Sequence, residues 1–135
     1  MTPPDTLTPM HAFEAFSAAP YISLATFRKS GAQVATPVWA APMGDCLYVF
    51  SAGEAGKVKR LRNSSQAQVA TCTVNGKLTG EWHAAVAELI CDETDVAGAH
   101  KALRKKYGLS MAVADFFARL TGRFAKRAYI RIRLA

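Results

Sequence analysis

The sequence predicts one mainly β domain with added helices, in which about six antiparallel strands form a closed or nearly closed barrel. Three observations lead to this prediction. Residues 21–91 alternate between short runs rich in β-branched or aromatic residues and turns that contain glycine. Tight turns join the first three runs, as in an antiparallel meander. After two helical patterns, residues 126–134 alternate apolar and basic side chains, which adds a last strand.

The N-terminal part of the chain is predicted to form one helix after a loose end. Residues 1–7 are rich in proline and threonine, and residues 1–135 as a whole are predicted to be a single domain. Thr8 followed by Pro9 is typical of a helix start, with threonine as the cap and proline at the first helical position. The apolar residues of this helix recur at helical spacing, and the helix is expected to stop before Pro20.

Three strands joined by tight turns are predicted next. Pro37 and Pro42 both fall within the second strand. Because proline cannot donate a hydrogen bond to a ladder, these positions are expected at an edge, at a bulge, or where pairing is interrupted. A bulge often marks the place where a ligand meets a sheet. The three strands cover residues 21–28, 33–42 and 46–50.

The remaining sequence predicts a short helix, two strands, a helical segment over residues 92–121 and the last strand. The short helix follows Gly56 and ends near Asn63. In the helical segment, Thr94 is expected to cap the first helix and Gly108 to end it. The two strands cover residues 67–74 and 81–91, the two helices residues 92–107 and 111–120, and the last strand residues 126–134.

The chain carries 17 lysines and arginines against 10 aspartates and glutamates, a formal charge of +7. This surplus favours an acidic partner, which could be a nucleic acid, a membrane surface or a phosphorylated small molecule. No apolar run approaches the roughly 18 residues that a transmembrane helix needs. The first nine residues have neither a basic start nor an apolar run, so no secretory signal is predicted and the cytoplasm is the expected location.

The three cysteines, Cys46, Cys72 and Cys91, are far apart and odd in number. They form no CxxC motif and no cluster with histidine, so neither a zinc site nor a disulfide framework is predicted. Because each lies among apolar neighbours, all three are expected to be reduced, buried thiols. The sequence therefore predicts no metal site.

The segment from Lys57 to Arg62 carries the main functional hypothesis. On a helix, Lys57 and Arg60 lie three residues apart, beside the apolar face that Val58 and Leu61 share. A helix start flanked by a lysine and an arginine is well suited to binding a phosphate. An equally acceptable interpretation is a solvated basic face above a small apolar stripe.

The segment Thr36-Pro37-Val38-Trp39 gives a second hypothesis. A hydroxyl, a proline that interrupts pairing and a flat aromatic side chain follow one another on one strand. A planar heteroaromatic ring could lie against such a strand and bond to its interrupted backbone. Taken alone, Trp39 is more simply explained as an aromatic residue of the core.

These segments resemble the FMN-binding split-barrel proteins, the group similar to pyridoxamine-phosphate oxidase. The resemblance extends over residues 21–89, and the branch that looks nearest uses the deazaflavin coenzyme F-420. TPVW and GKVKRLR at this separation are specific together, although neither would be alone. The matching stretches read TFRKSGAQVATPVW, SAGEAGKVKRLR and QVATCTVNGKLTGEW.

The resemblance implies a six-stranded antiparallel split barrel of the FMN-binding type, and a homodimer with FMN or coenzyme F-420 at the subunit interface. The helical segment over residues 92–121 is longer than the family pattern, so its role is left open. The resemblance implies that the ring lies along Thr36, Pro37, Val38 and Trp39. It implies that Ser51, Lys57 and Arg60 hold the side chain and phosphate, and that Gly76 and Trp82 come from the second subunit.

The function implied by the resemblance is that of an oxidoreductase that transfers hydride to a small organic substrate. No catalytic side chain is predicted, because His11, His83 and His100 are dispersed and the cofactor itself carries the hydride. One alternative is a redox-inactive split barrel that binds FMN, haem or another ligand. Another is a nucleic-acid-binding module, based on the cationic residues 119–133 and nearby aromatic residues. Because those aromatic residues also fit a helix core and a buried strand, the expected partners are a second copy and a small molecule, with neither nucleic acid nor membrane.

Overall fold

The computed structural model describes residues 9–135, so the predicted loose end at residues 1–7 and the predicted cap at Thr8 lie outside the described residues. The strands are β1 (Ile22–Phe27), β2 (Gln33–Val38), β3 (Ala40–Met43), β4 (Cys46–Ala52), β5 (Gln66–Thr71), β6 (His83–Ile90) and β7 (Arg127–Leu134). The helices are α1 (Pro9–Ala18), α2 (Gly56–Asn63), α3 (Glu93–Tyr107) and α4 (Leu109–Leu120). One turn of 3-10 helix, Phe124–Lys126, precedes β7.

All of these strands belong to one antiparallel sheet in the order β2-β1-β5-β6-β7-β4-β3. The two edge strands, β2 and β3, follow one another in the chain with only Trp39 between them. Since neighbouring Cα atoms are only about 3.8 Å apart, the two edges of the sheet must lie side by side at this point. The sheet therefore curls round into a barrel, as the sequence predicts.

The strand over residues 33–42, predicted as one, is in fact two strands, so the sheet has seven strands rather than six. Before Trp39 the chain pairs with β1, and after it the chain pairs with β4 at the other edge. One straight strand cannot follow both partners, because they lie at opposite ends of the sheet order. Pro37 and Pro42 lie on these two edge strands, where a missing N–H is tolerated, as predicted.

Two apolar clusters stabilise the fold, one inside the barrel and one outside it. Residues directly opposite in paired strands share a face, so the pairs Ile22–Val38 and Val49–Ile130 point into the barrel together. The second cluster lies where α3 covers β3 and β4. Its buried members are Ala41, Cys46, Tyr48, Ile90, Ala99, Leu103, Met111 and Tyr129.

The predicted helical segment consists of two helices, with Gly108 between them at a positive φ of 54°. The expected cap at Thr94 is wrong. The carboxylate of Asp92 caps α3 by accepting hydrogen bonds from the N–H groups of Thr94 and Asp95, because it stands immediately before the first helical residue. α4 begins at Leu109, two residues earlier than predicted. No helix within residues 9–135 is both long and apolar enough to cross a membrane.

Several burial expectations need correction. Cys46 and Cys72 are buried as expected, but Cys91 is exposed because it lies at the loop between β6 and α3. Phe116 and Phe117 were expected to fit a helix core, yet both are exposed. They lie on the side of α4 opposite to its buried residues, Met111 and Asp115. α4 therefore has apolar residues on two sides, and only one of them packs on the barrel.

Hydrogen bonds from the end of α3 stabilise the junction of β2 and β3, where the sheet closes. The hydroxyl of Tyr107 accepts a hydrogen bond from the N–H of Ala40 at 3.0 Å and is 2.8 Å from the carbonyl oxygen of Pro20, to which it can donate. The amine of Lys106 donates to the carbonyl of Ala19 at 2.7 Å and also to that of Ala40. The Lys106 amine is partly buried, and burial lowers its pKa to about 8. Two consecutive residues therefore tie the segment after α1 to the junction of β2 and β3.

We predict that Tyr107→Phe lowers the free energy of unfolding by about 1–3 kcal/mol, because it leaves the N–H of Ala40 without an acceptor. Ala40 is buried, so water cannot easily replace the lost hydroxyl. Urea unfolding of the variant against the wild type measures the difference. The control is Tyr21→Phe, whose hydroxyl makes no hydrogen bond to the described residues, and an equal loss in both variants would contradict this account.

Candidate functional site

The start of α2 presents free hydrogen-bond donors. Ala55 precedes the helix and supplies no side-chain cap, and the first turn holds no acidic residue. Among the described residues, the N–H groups of Gly56 and Lys57 find no acceptor, while the next two N–H groups bond to the carbonyl of Ala55. Free N–H groups at the positive end of a helix dipole attract an anion.

Two cations stand beside this helix start without a carboxylate. Neither Lys57 nor Arg60 takes part in any ion pair between described residues. Burial lowers the pKa of Lys57, and the like charge of Arg60 lowers it further. Two partly buried charges of the same sign disfavour one another, and a bound anion would relieve that repulsion.

Arg60 is held in a fixed position by β1. Its Nε donates to Oγ1 of Thr26 at 2.6 Å, and Thr26 is fully buried. The rest of the guanidinium lies over the first residue of the helix, because a Cβ built on Gly56 would come within 2.8 Å of Nη1 of Arg60. The glycine at position 56 therefore leaves the room that Arg60 occupies beside the start of α2.

Thr36 contributes an unusual hydroxyl to the same part of the barrel. Its Oγ1 is the one buried side-chain polar atom among the described residues that lacks a hydrogen-bond partner. Thr36 lies opposite Leu24, and Leu24 is two residues from Thr26 on the same face of β1, about 7 Å along the strand. Thr36 and Arg60 thus approach one face of β1 at neighbouring positions. A buried hydroxyl without a partner is costly, and a ligand atom would supply the missing one.

Val38 and Trp39 have packing roles in the structure. Val38 is buried in the barrel interior. Trp39 is half-buried and stacks on the ring of Tyr107, with centroids 4.7 Å apart and planes 12° from parallel. Its other aromatic neighbour is Phe50, which it meets edge-on. Packing against Tyr107 therefore covers one face of the Trp39 ring.

The other predicted site residues are distributed around the barrel. Ser51 is buried near the end of β4, shortly before α2, and its hydroxyl lies 3.3 Å from the carbonyl of Ala52. Gly76 has a φ of 88° in the turn after β5, and a Cβ there would lie 3.8 Å from Pro37. Trp82 is half-buried just before β6. The structure thus places Gly76 beside Pro37 of its own chain, and Lys57 and Arg60 together at α2.

The sequence reasoning missed a buried acidic residue. Asp115 of α4 is almost fully buried, and its carboxylate accepts a hydrogen bond from Arg127 at 2.6 Å and lies 2.8 Å from Nε2 of His100. Burial raises the pKa of Asp115, but the hydrogen bonds and charges of Arg127 and His100 outweigh it and hold that pKa below its usual value. One feature of the sequence could have pointed to it, because Asp115 is the only acidic residue after Asp95 and is surrounded in sequence by basic residues on both sides.

His100 and Arg127 also line a cavity of about 740 Å³ between α2, α3 and the turn before β7. Its walls are mostly apolar, with Val58, Val96 and Phe124 among them. Arg127 lies over the rings of Phe50 and Phe124, which adds cation–π contacts to its ion pair. This cavity is on the other side of α2 from Lys57 and Arg60, since it is the helix residues Val58 and Arg62 that line it.

Comparison with known proteins identifies the fold. The sequence matches no protein-family model and no curated protein. Among solved structures, an FAD-binding protein of Mesorhizobium loti is similar, with 19% identity, a TM-score of 0.63, and 96% of this chain and 91% of that one covered. A candidate pyridoxamine 5'-phosphate oxidase of Listeria innocua has 13% identity and a TM-score of 0.59, covering 93% and 92%. The heme storage protein HutZ of Vibrio cholerae has 10% identity and a TM-score of 0.68, covering 96% and 92%.

These similarities show that the chain has the split-barrel fold of proteins similar to pyridoxamine-phosphate oxidase, as the sequence resemblance implies. The matches span nearly the whole chain, including the helical segment that the resemblance left open. At these identities the similarity concerns the fold alone.

We predict that Asp115→Asn destabilises the protein by about 3–5 kcal/mol at neutral pH, because it leaves buried Arg127 without a countercharge. Since the folded pKa of Asp115 lies below its ordinary value of 3.8, its stabilising effect is complete above that value and is lost as pH falls through the lowered one. Urea unfolding from neutral to acidic pH should show this loss in the wild type and not in the variant. Exposed Glu54→Gln is the control, and parallel pH profiles of wild type and Asp115→Asn would contradict the assignment.

Proposed function

We propose that this protein binds FMN or coenzyme F-420 and transfers hydride between that coenzyme and a small organic substrate. The observation that carries the proposal is the uncompensated pair Lys57 and Arg60 at the uncapped start of α2. Both coenzymes bear a phosphate, which this arrangement fits in charge and in hydrogen-bond donors. The similar FAD-binding protein of Mesorhizobium loti supports a flavin-type ligand for the fold.

The residues present fit such a coenzyme at two places. The N–H groups of Gly56 and Lys57, with the side chains of Lys57 and Arg60, would hold the phosphate. The hydroxyl of Thr36 lacks a partner and would hydrogen-bond to the ring system, beside the edge of β2 where Pro37 offers no N–H. When bound, the coenzyme supplies the hydride chemistry, and the protein supplies position and electrostatics. Because Thr26 fixes Arg60, the cationic side of the site is already arranged before binding.

Between the two coenzymes, the charge of the chain favours coenzyme F-420. This coenzyme carries a glutamate tail in addition to its phosphodiester, so it is more anionic than FMN. The chain has a formal charge of +7, and Lys59 and Arg62 add two exposed cations to the same helix. A more anionic ligand gains more from such a surface.

We further propose that the protein is a homodimer and that the outer face of β1, β2 and β5 forms the interface. Strand pairing places small side chains together on this face, which lets a second sheet approach closely. The loop that carries Gly76 lies beside Pro37 on this side of the barrel, and in such a dimer Gly76 and Trp82 would reach the neighbouring subunit. With the adjoining end of β6, the face consists of Ser23, Ala25, Ala35, Pro37, Gln68, Ala70 and Ala84.

The proposed interface predicts a particle of about 29 kDa, twice the chain mass of 14.6 kDa. Replacing exposed Ala35, which lies opposite Ala25, with arginine places a charge on the face and should shift the particle towards the monomer. Sedimentation velocity measures both states, with Glu54→Arg as an exposed control. A wild-type protein that sediments as a monomer would contradict the proposed interface.

We predict that the double variant Lys57→Gln/Arg60→Gln binds FMN and coenzyme F-420 at least about 100-fold more weakly, since each charged hydrogen bond contributes about 1.5–3 kcal/mol. The matched control is Lys59→Gln/Arg62→Gln, which removes the same charge from the same helix but from its other side. Fluorescence titration with each coenzyme measures the affinities. Equal losses in the two variants would indicate general electrostatic attraction and contradict the phosphate site.

The absorbance spectrum separates the proposed function from its alternative. Similar folds include the heme storage protein HutZ, so a redox-inactive barrel that binds haem is the second candidate. Adding haem, FMN and coenzyme F-420 in turn to the purified protein should change the spectra of the two flavin-type coenzymes. A haem Soret shift with no response from the other two would favour the alternative. If the protein binds the coenzyme but reduces no acceptor, the proposed binding site is supported and the proposed hydride transfer is contradicted.

A further inference from the structure

The outer face of α4 is an exposed apolar surface. Residues at positions i, i+4, i+7, i+8 and i+11 of a helix share one side, and here all five are large and apolar. Their exposed fractions are unusual for a folded domain, in which exposed large apolar patches mark interaction sites. They are Leu109 at 80%, Val113 at 47%, Phe116 at 62%, Phe117 at 57% and Leu120 at 71%.

The rotation of α4 that exposes this face is fixed by an ion pair. Asp115 turns inward to meet Arg127 of β7 and His100 of α3, and Met111 is buried on the same side. If apolar burial alone set the rotation, Phe116 and Phe117 would point toward the barrel. The buried carboxylate therefore holds the helix with its aromatic side outward.

Cations border this face at both ends of α4. After Asp95, the only acidic residue of the chain is Asp115, which is buried. Lys101, Arg104 and Lys105 line an open groove of about 600 Å³ together with Leu109 and Ala112 of α4. At the other end of the helix lie two further exposed cations, Arg119 in its last turn and Arg123 just after it. An apolar helix face bordered by cations is typical of a helix that lies in the interface of an anionic bilayer.

This surface is distinct from the proposed dimer interface. α4 packs on α3 and on the turn before β7, and α3 covers β3 and β4. The residues of the proposed interface lie on β1, β2, β5 and β6, and none of them belongs to α3 or α4. A second copy on α4 would also bring Lys101, Lys105 and Arg119 of one chain towards the same cations of the other, which repel.

We propose that α4 docks the protein on the surface of an anionic membrane. Leu109, Phe116 and Leu120 would enter the region between headgroups and acyl chains, while the groove cations contact lipid phosphates. With twelve residues, α4 lies on such a surface and does not span it. The proposal stands independently of the coenzyme, because it uses none of the residues assigned to the coenzyme site.

Vesicle co-sedimentation of the whole protein tests the proposal, using phosphatidylcholine vesicles with and without about one-third phosphatidylglycerol. We expect binding to the anionic vesicles that weakens as salt is raised, with little binding to pure phosphatidylcholine. Phe116→Gln/Phe117→Gln should reduce the binding about tenfold or more, since it removes the two largest apolar groups. Lys101→Gln/Lys105→Gln should reduce it about fivefold for each charge removed. The matched control Lys29→Gln/Lys77→Gln removes the same charge from exposed turns far from α4 and should change it little.

The changed side chains are exposed, so each variant should fold, and thermal unfolding verifies this. Wild-type protein that does not sediment with anionic vesicles would overturn the proposal. So would equal binding by wild type and the phenylalanine variant. If that variant instead converts a dimer into a monomer, a second copy covers α4. If the wild type binds a single-stranded oligonucleotide and not the vesicles, the surface serves nucleic acid.

Discussion

The closure of the sheet at Trp39 sets the positions of the helices that pack around the barrel. One residue separates β2 and β3, which are the two opposite edges of the sheet, so the sheet must curl until those edges meet. Closure removes the exposed edges that would otherwise invite pairing with other chains. Tyr107 and Lys106 hold the junction by hydrogen bonds to Ala40 and to the segment after α1. α3 must therefore end there, and its position determines where α4 can begin.

In the closed barrel, two groups of cations that have no ion pair lie on separate surfaces. Several cations are already occupied, since Arg133 pairs with Glu88 at 2.6 Å and Arg127 with Asp115. Lys106 is taken up by backbone carbonyls. Among the described residues, two groups of cations have no ion pair with a carboxylate: Lys57 and Arg60 at the start of α2, and Lys101, Lys105 and Arg119 around α4. The first faces donors suited to a phosphate, and the second borders an apolar helix, so the two groups favour different anionic partners.

The sequence was sufficient for features that depend on neighbouring residues. Alternation and turn residues predicted most of the strands, and Gly108 predicted the end of α3. The sequence was insufficient where contacts between distant residues determine strand pairing or the orientation of a helix. Nothing near Trp39 in the sequence reveals that β2 and β3 form the two opposite edges of the sheet. The spacing of apolar residues in α4 is compatible with two buried faces, and Arg127, twelve residues from Asp115, decides between them. The candidate site shows the same division, because Lys57 and Arg60 are local to α2, whereas the support from Thr26 requires the fold.

We propose that the Lys57–Arg60 pair receives the anionic group of a ligand, and proton uptake on binding is the sharpest test of this assignment. The pKa of Lys57 is lowered in the free protein by burial and by Arg60, so a bound phosphate should raise it again. Calorimetric titration with FMN at several alkaline pH values below the ordinary lysine pKa of 10.5, in buffers of different ionisation enthalpy, counts the protons taken up. The account predicts net uptake by the wild type that Lys57→Gln abolishes. Binding without uptake, or equal uptake by both proteins, would show that the anion lies elsewhere.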